Sequence, residues 1–141
     1  MTEDKTKAGR FDIRALAAKL PEHADTMLAD VYLTDRPSSS ARIFRVYKPV
    51  PAHFHRTCDE YLYVVSGRGR FWMDHADTIA DCAPGQLICF DRETVHAIPE
   101  ILEAPLVFMS IDAPRREPTD IVFVDPDDGS PETFMARNAT T

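Results

Sequence analysis

Short runs of β-branched and aromatic residues recur along most of this chain, and turn-forming residues separate them. The sequence also contains 11 prolines, and proline is excluded from helix interiors but tolerated at strand ends and bends. Seven to nine short strands at near-regular spacing favour a β-sandwich or a small barrel. The predicted strands are 41–47, 53–55, 60–65, 70–73, 78–80, 87–90, 95–98, 106–111 and 121–124.

One helical segment precedes the strands. Four apolar residues recur at i, i+3, i+4 and i+7, which places them on one face of a helix. Asp12 is a suitable N-cap and Pro21 ends the pattern, so we predict a helix over 11–20. The residues of the apolar face are Ile13, Leu16, Ala17 and Leu20.

The length of 141 residues fits one domain, and 44% hydrophobic residues are enough to form a packed core. We predict a flexible segment over 1–10, a folded domain over 11–124 and a loop or tail over 125–141. The acidic run 125–131 within that tail is interpreted as a solvated turn, because Ala136 occupies the position where an EF-hand loop has its last acidic ligand.

The net charge is −7 at pH 7, and an acidic surface is repelled by nucleic acid and by anionic lipid. No apolar run approaches the roughly 20 residues of a membrane span, and the charged N-terminus lacks the apolar core of a secretory signal. The three cysteines show no paired spacing, which favours a reducing compartment. We therefore predict a cytoplasmic protein without a nucleic-acid or membrane partner.

Three histidines and one glutamate suggest a metal site. His53 and His55 are two residues apart, so a strand would present both side chains on one face. Glu60 begins the strongest predicted strand, and His96 begins a later one. Three imidazoles and one carboxylate are suitable ligands for a divalent first-row metal. His23 and His75 lie in turn-like contexts and are interpreted as ordinary surface residues.

The spacing of these residues resembles two motifs of the cupin superfamily. His53-x-His55-x₄-Glu60-x₆-Gly67 is similar to the first motif, and Gly85-x₁₀-His96 is similar to the second. The resemblance covers about residues 41–112. It implies a mainly β fold, an antiparallel jelly-roll or double-stranded β-helix barrel, with the short N-terminal helix added. It also implies His53, His55, Glu60 and His96 as metal ligands, and a homodimer.

The function that the resemblance implies is broad. Iron would suit a dioxygenase-like reaction, whereas manganese, nickel or zinc would suit Lewis-acid isomerisation or decarboxylation of a small organic molecule that chelates the ion. The sequence offers no distinctive catalytic residue beyond the ligands. A non-catalytic module that binds or senses a small ligand is therefore the alternative, and a metal-free structural barrel is a third hypothesis.

The alternation of side chains predicts the surroundings of the site. If Glu60 points inward, Leu62 and Val64 share its face, while Tyr61, Tyr63 and Val65 face the other way and pack a second sheet or a partner subunit. Cys58 either approaches the metal or, as we favour, points elsewhere. Further candidates for the apolar wall are Phe44, Val46, Ile98, Leu106, Phe108 and either Phe71 or Trp72.

Overall fold

The computed structural model describes residues 4–132 and 138–140, and these include an α-helix, short 3₁₀-helices at Ala76–Thr78 and Pro126–Asp128, and a set of mostly antiparallel strands. Parts of the predicted terminal segments, namely residues 1–3, 133–137 and 141, lie outside the described residues. The elements are α1 (Ile13–Ala18), β1 (Leu28–Arg36), β2 (Ser39–Val46), β3 (Val50–Phe54), β4 (Asp59–Met73), β5 (Ala80–Cys82), β6 (Leu87–Phe90), β7 (His96–Ala113), β8 (Val122–Phe123) and β9 (Asn138–Thr140).

The strands form a rolled sheet in which β4 and β7 are the central members. The main path through the sheet is β5-β4-β7-β2-β1-β9, while β3 pairs with β7 and β8, and β6 pairs with β4. The predicted mainly β, antiparallel jelly-roll architecture with a short helix is therefore confirmed. Within the described residues, no helix is long and apolar enough to cross a membrane.

Two strands are longer than the sequence pattern predicts. The runs 60–65 and 70–73 belong to one strand, β4, and the runs 95–98 and 106–111 both belong to β7. The separation of the predicted strands 60–65 and 70–73 is therefore wrong, because β4 continues through Gly67. Register shifts between Val64 and Trp72 bend β4 against β7 instead, and irregularities of this kind let one strand contribute to both sides of a roll.

The interior of the roll follows the predicted alternation. Glu60, Leu62 and Val64 are buried on one face of β4, whereas Tyr61 and Tyr63 are about 40% exposed (44% and 39%). Val65 shares their face but packs in a separate cluster beneath the N-terminal segment. The main core contains the predicted Phe44, Val46, Ile98, Leu106, Phe108 and Phe71, while Trp72 is only partly buried.

The helix lies on the outside of the sheet. Asp12 is the N-cap, as predicted, and its carboxylate accepts a hydrogen bond from the Ala15 backbone N–H. The helix is shorter than predicted and ends at Ala18. Its apolar residues Leu16 and Ala17 pack against a cluster that includes Ile43 and Val107, so α1 covers part of the outer face.

Gly67 occupies the most crowded bend in β4. Its φ is +78°, and a Cβ added there would lie 2.3 Å from the Pro105 carbonyl oxygen. Gly85 also has a positive φ, +91°, but an added Cβ would meet no heavy atom within 4 Å. A side chain at Gly85 would therefore meet only the cost of a positive φ, whereas one at Gly67 would also clash with the neighbouring backbone.

We expect Gly85→Ala to lower the free energy of unfolding by about 1–2 kcal/mol, the cost of a side chain in the left-handed region. Gly67→Ala should cost a further ~1–3 kcal/mol, because it adds a clash with the backbone of β7. Urea denaturation of the two variants checks this. Equal losses would contradict the close approach of β4 and β7 at this bend.

Candidate metal site

Three elements bring the predicted ligands together inside the roll. His53 lies in β3, His55 follows the end of β3, Glu60 is the second residue of β4 and His96 begins β7. The register pairs His53 directly with His96. All four side chains are at least nine-tenths buried, so residues that are distant in sequence share one pocket.

One ring nitrogen of each histidine lies within 4.8 Å of those of the other two. The Glu60 Oε1 atom is 3.7 Å from His55 Nε2 and 3.6 Å from His96 Nε2. Two atoms that each lie about 2.1 Å from one ion are roughly 3.0 Å apart at a right angle and about 4.2 Å apart on opposite sides. The spacing of Glu60 from the two imidazoles falls within this range, so these residues fit a shared divalent ion.

Backbone carbonyls fix the orientation of all three imidazoles. The Nδ1 atoms of His53, His55 and His96 lie 2.7, 2.6 and 3.0 Å from the carbonyl oxygens of Pro51, Asp120 and Thr94, respectively. A carbonyl only accepts, so Nδ1 must carry the hydrogen in each ring. The lone pair of each ring is therefore on Nε2, and this arrangement is typical of histidines that bind a metal.

The same imidazoles are held in their neutral form. Burial, with the neighbouring histidine as a further cause, lowers the pKa of His55 and His96 to about 3 and lowers the pKa of His53 well below its ordinary 6.5. Metal binding requires the neutral ring. The site is therefore in the protonation state that accepts a cation at neutral pH.

The Glu60 carboxylate is oriented by contacts to its second oxygen. The Ser110 hydroxyl donates a hydrogen bond of 3.1 Å to Oε2, and Arg42 Nη2 lies 3.9 Å from the same atom. Oε1 is the atom close to His55 and His96. Glu60 thus directs one oxygen at the imidazoles and the other at polar side chains of the barrel wall.

Aromatic side chains restrict His96 from the other side. The rings of Phe90 and His96 have centroids 4.2 Å apart, and the Phe71 centroid is 6.2 Å from that of His96. Because these rings are buried, His96 has little freedom to rotate. Packing and the Nδ1 hydrogen bond therefore hold its Nε2 in one place.

The four predicted residues line a small cavity of about 30 Å³, with room for on the order of two water molecules. A larger ligand has to enlarge this space or insert only one end. The apolar lining includes the predicted Phe44, Leu62 and Ile98, together with Leu28 and Val50, which were not predicted. One further lining residue, Arg42, is charged.

Four buried charged residues around the site were not predicted from the sequence. Arg42 Nη1 donates to Asp30 at 3.2 Å, and Arg116 Nε lies 3.7 Å from an Asp112 oxygen. All four are at least 94% buried. The signal for Arg42 was present in the sequence, since it alternates with the inward-facing Phe44 and Val46. Apolar residues alone were used there to predict the wall.

Cys58 does not belong to the cluster of three imidazoles. Its thiol is buried and lies 4.0 Å from an Asp112 oxygen. Burial, together with the nearby carboxylates of Asp112 and Glu60, raises the pKa of the Cys58 thiol to about 12. It is therefore protonated and poorly nucleophilic at neutral pH. His23 and His75, interpreted as surface residues, are both exposed.

The segment after β7 closes the barrel next to His55. The backbone carbonyl of Asp120 accepts the hydrogen bond from His55 Nδ1. Its side-chain carboxylate accepts hydrogen bonds from the backbone N–H groups of Arg56 and Thr57 and from the Thr57 hydroxyl. Strand β8 then pairs with β3 beside His53. Asp120 therefore connects the loop that carries His55 to the C-terminal part of the barrel.

Comparison with known proteins agrees with this geometry. Residues 44–112 match the family model of the Cupin domain, whereas no curated protein matches the sequence. The chain is therefore a cupin, with the double-stranded β-helix fold.

Three solved structures illustrate the similarity. A conserved protein with a double-stranded β-helix domain from Klebsiella pneumoniae has a TM-score of 0.64 at 14% identity, over 84% of this chain and 99% of its own. Pac13 of Streptomyces, a nucleoside dehydratase, has a TM-score of 0.61 at 17% identity, over 84% and 92%. KdgF from Halomonas sp. has a TM-score of 0.58 at 19% identity, over 64% and 82%.

The lowered pKa values predict acid sensitivity of the metal-free protein. Unfolded histidines take up protons below about pH 6.5, but the folded His55 and His96 do so only near pH 3. The unfolded chain therefore binds more protons in this window, and the free energy of unfolding falls as the pH decreases, by about 1.4 kcal/mol per pH unit for each group.

Asp112 opposes this trend. Burial and the Glu60 charge raise its pKa to about 7. Between pH 7 and 3.8 the folded carboxyl therefore binds more protons than the unfolded one, which raises the free energy of unfolding as the pH falls. This is one group against three imidazoles, so the net free energy of unfolding still falls. Urea denaturation of chelator-treated protein from pH 7 to 4 measures the net slope. His53→Gln should reduce the slope and His75→Ala should not. A stability that is constant over this range would contradict the buried neutral imidazoles.

The Asp120 contacts predict a role in orienting His55. Asp120→Ala should weaken metal affinity by about tenfold, the lower end of the range for residues that orient metal ligands, because the carbonyl remains but the loop loses its anchoring hydrogen bonds. Asp125→Ala is the matched control, since Asp125 caps an exposed turn by accepting from Asp127 N–H. Competition with a chromogenic chelator measures both affinities. Equal affinities would contradict this role.

Proposed function

We propose that this cupin binds one divalent transition metal through His53, His55, Glu60 and His96, and that a small organic molecule chelates the bound ion. The observation that carries the proposal is the common orientation of the three imidazoles. Each donates Nδ1–H to a backbone carbonyl, which leaves three Nε2 lone pairs in one buried cluster. A structural core has no need for three such lone pairs without donors.

The charges of the residues suit an ion that stays reactive. Glu60 is the one anion in the proposed ligand set, so a divalent ion retains a net charge of +1 there. Four protein ligands leave two positions of an octahedron for the ligand's oxygen atoms. Imidazole and carboxylate together suit iron, manganese, nickel and zinc. When bound, the ion supplies Lewis acidity or, if it is iron, a redox centre.

We propose that the protein is an enzyme, either dioxygenase-like or a Lewis-acid isomerase or decarboxylase. Within the described residues, the titratable groups that line the cavity are the proposed ligands and Arg42. Proton transfer and charge stabilisation therefore depend on the ion, because the cavity wall offers no additional acid or base. Structural neighbours such as Pac13, a nucleoside dehydratase, show that the fold supports catalysis.

The absence of a further acid or base from the described cavity lining also favours the alternative, a non-catalytic module that binds a small ligand. Turnover assays with metal-loaded protein distinguish the two hypotheses, since a binder saturates without consuming ligand or oxygen. A cytoplasmic location and a homodimer remain predictions. Three free cysteines agree with the former, and the exposed Tyr61, Tyr63 and Leu87 agree with the latter.

Removal of a proposed ligand tests the metal site. His96→Ala should weaken metal affinity by more than the roughly 10–100-fold that loss of an orienting residue costs, because one of three imidazoles is lost. Glu60→Gln should also weaken binding, since it removes the anion while keeping the shape. Mass spectrometry of protein reloaded with zinc, iron, nickel or manganese gives the stoichiometry.

His75→Ala is the matched control for these variants, because His75 is exposed and lies at the opposite end of β4 from Glu60. It should bind metal as the wild type does. Equal, near-zero metal content in the wild type and His96→Ala after reloading would support the metal-free structural barrel and refute the proposed function.

A further inference from the structure

Arg42 is a permanent cation inside the roll, and it lines the same cavity as His53, His55 and His96. Its side chain is 7% exposed, and its guanidinium lies 5.1 Å from the centroid of the Phe44 ring. A buried charge is costly unless partners satisfy it. The contacts of Arg42 therefore indicate what the cavity is built to hold.

The guanidinium has unused hydrogen-bond donors. Nη1 donates to Asp30 at 3.2 Å, but Nη2 lies 3.9 Å from Glu60, beyond hydrogen-bond distance. Nε is buried and has no hydrogen-bond partner among the residues that the structure describes. A guanidinium has five N–H donors, and buried donors normally have partners. An arginine with spare donors at a cavity points to a ligand.

The position of Arg42 relative to the proposed metal site is set by Glu60. Oxygen Oε1 of Glu60 lies 3.6 and 3.7 Å from His96 and His55, and Oε2 lies 3.9 Å from Arg42. One carboxylate group thus separates the guanidinium from the imidazole cluster. A ligand whose oxygens occupy the open positions on the ion would lie beside Arg42.

We infer that Arg42 recognises the negative charge of the ligand, and that the ligand is a small monocarboxylate such as a 2-hydroxy or 2-oxo acid; this rests on the proposed function. The charges favour a monoanion. Asp30 offsets Arg42, and Glu60 leaves the divalent ion with a net charge of +1. One carboxylate neutralises that charge.

The shape of the cavity agrees with this class of ligand. A planar carboxylate matches the planar guanidinium fork, and a 2-hydroxy or 2-oxo group supplies a second oxygen for chelation. The remaining wall is apolar, formed by residues such as Leu28, Val50 and Ile98. The volume of about 30 Å³ suits the insertion of one flat carboxylate end of a short acid, and the tetrahedral oxygens of phosphate lack the planar face that the guanidinium fork matches.

Calorimetric titration of zinc-loaded protein with lactate, lactamide and inorganic phosphate tests the inference. The wild type should bind lactate more tightly than the neutral lactamide and more tightly than phosphate. Arg42→Lys keeps the charge beside Asp30 but loses the planar fork, so lactate affinity should fall by roughly tenfold or more, as expected for a lost hydrogen bond to a charged group. Lactate affinity is compared at equal zinc content, which mass spectrometry measures for each variant.

Arg116→Lys is the matched control. Arg116 is also buried, and its Nε also lacks a hydrogen-bond partner among the described residues, but it does not belong to the cavity lining. The lactate affinity of the Arg116→Lys variant should match that of the wild type. If Arg42→Lys does not fold, the double variant R42Q/D30N removes both charges of the pair and should show the same loss.

Four outcomes overturn the inference: no lactate binding by the wild type, equal binding of lactate and lactamide, phosphate binding tighter than lactate binding, or unchanged lactate affinity in Arg42→Lys. Failure of the proposed function is separate, because zinc would then not bind. In that case lactate titration of metal-free protein decides the role of Arg42: Arg42-dependent binding supports anion recognition, and its absence refutes it.

Discussion

The site depends on three hydrogen bonds from imidazole Nδ1–H groups to backbone carbonyls. Each bond satisfies a polar group that burial would otherwise leave unpaired, and each determines which nitrogen faces the cavity. The acceptors belong to three separate places in the chain: Pro51 before His53, Thr94 before His96, and Asp120 beyond β7. The barrel must therefore be closed, with its C-terminal segment in position, before all three lone pairs converge. Fold and site are formed by the same contacts.

Charge in the interior is arranged in two close pairs, and Glu60 lies near one of them. Arg42 with Asp30, and Arg116 with Asp112, place opposite charges close together in the barrel. Buried pairs of this kind contribute little net stability, because desolvation offsets most of their attraction. Their arrangement is better explained by the site: Arg42 lies near the second oxygen of Glu60, to which Ser110 donates, while the first oxygen lies beside two neutral imidazoles. The packed apolar core, rather than these charges, stabilises the fold.

The sequence predicted the parts of the structure that depend on local pattern. Alternation placed Glu60, Leu62 and Val64 on one inward face of β4, and the histidine spacing, through its family resemblance, identified the residues that come together. The continuity of β4 through Gly67 was missed, because serine and glycine residues that form a bend within a strand have the same composition as a turn. Arg42 was missed for a different reason. An arginine in a strand is usually exposed, and only its buried partner Asp30, from another strand, makes its inward position acceptable.

The cavity also constrains the kind of chemistry that this protein supports. Burial and mutual proximity keep the imidazoles neutral, and Cys58 is a protonated thiol directed at Asp112, so neither serves as a general acid or an activated nucleophile at neutral pH. The described lining adds Arg42, which remains charged and cannot exchange a proton. Apart from Glu60, a wall of this composition is suited to binding and orienting an anion and not to proton transfer. Under the proposed function, we therefore expect reactivity to come from a cation bound by the Nε2 atoms and Glu60, with the wall selecting the molecule that reaches it.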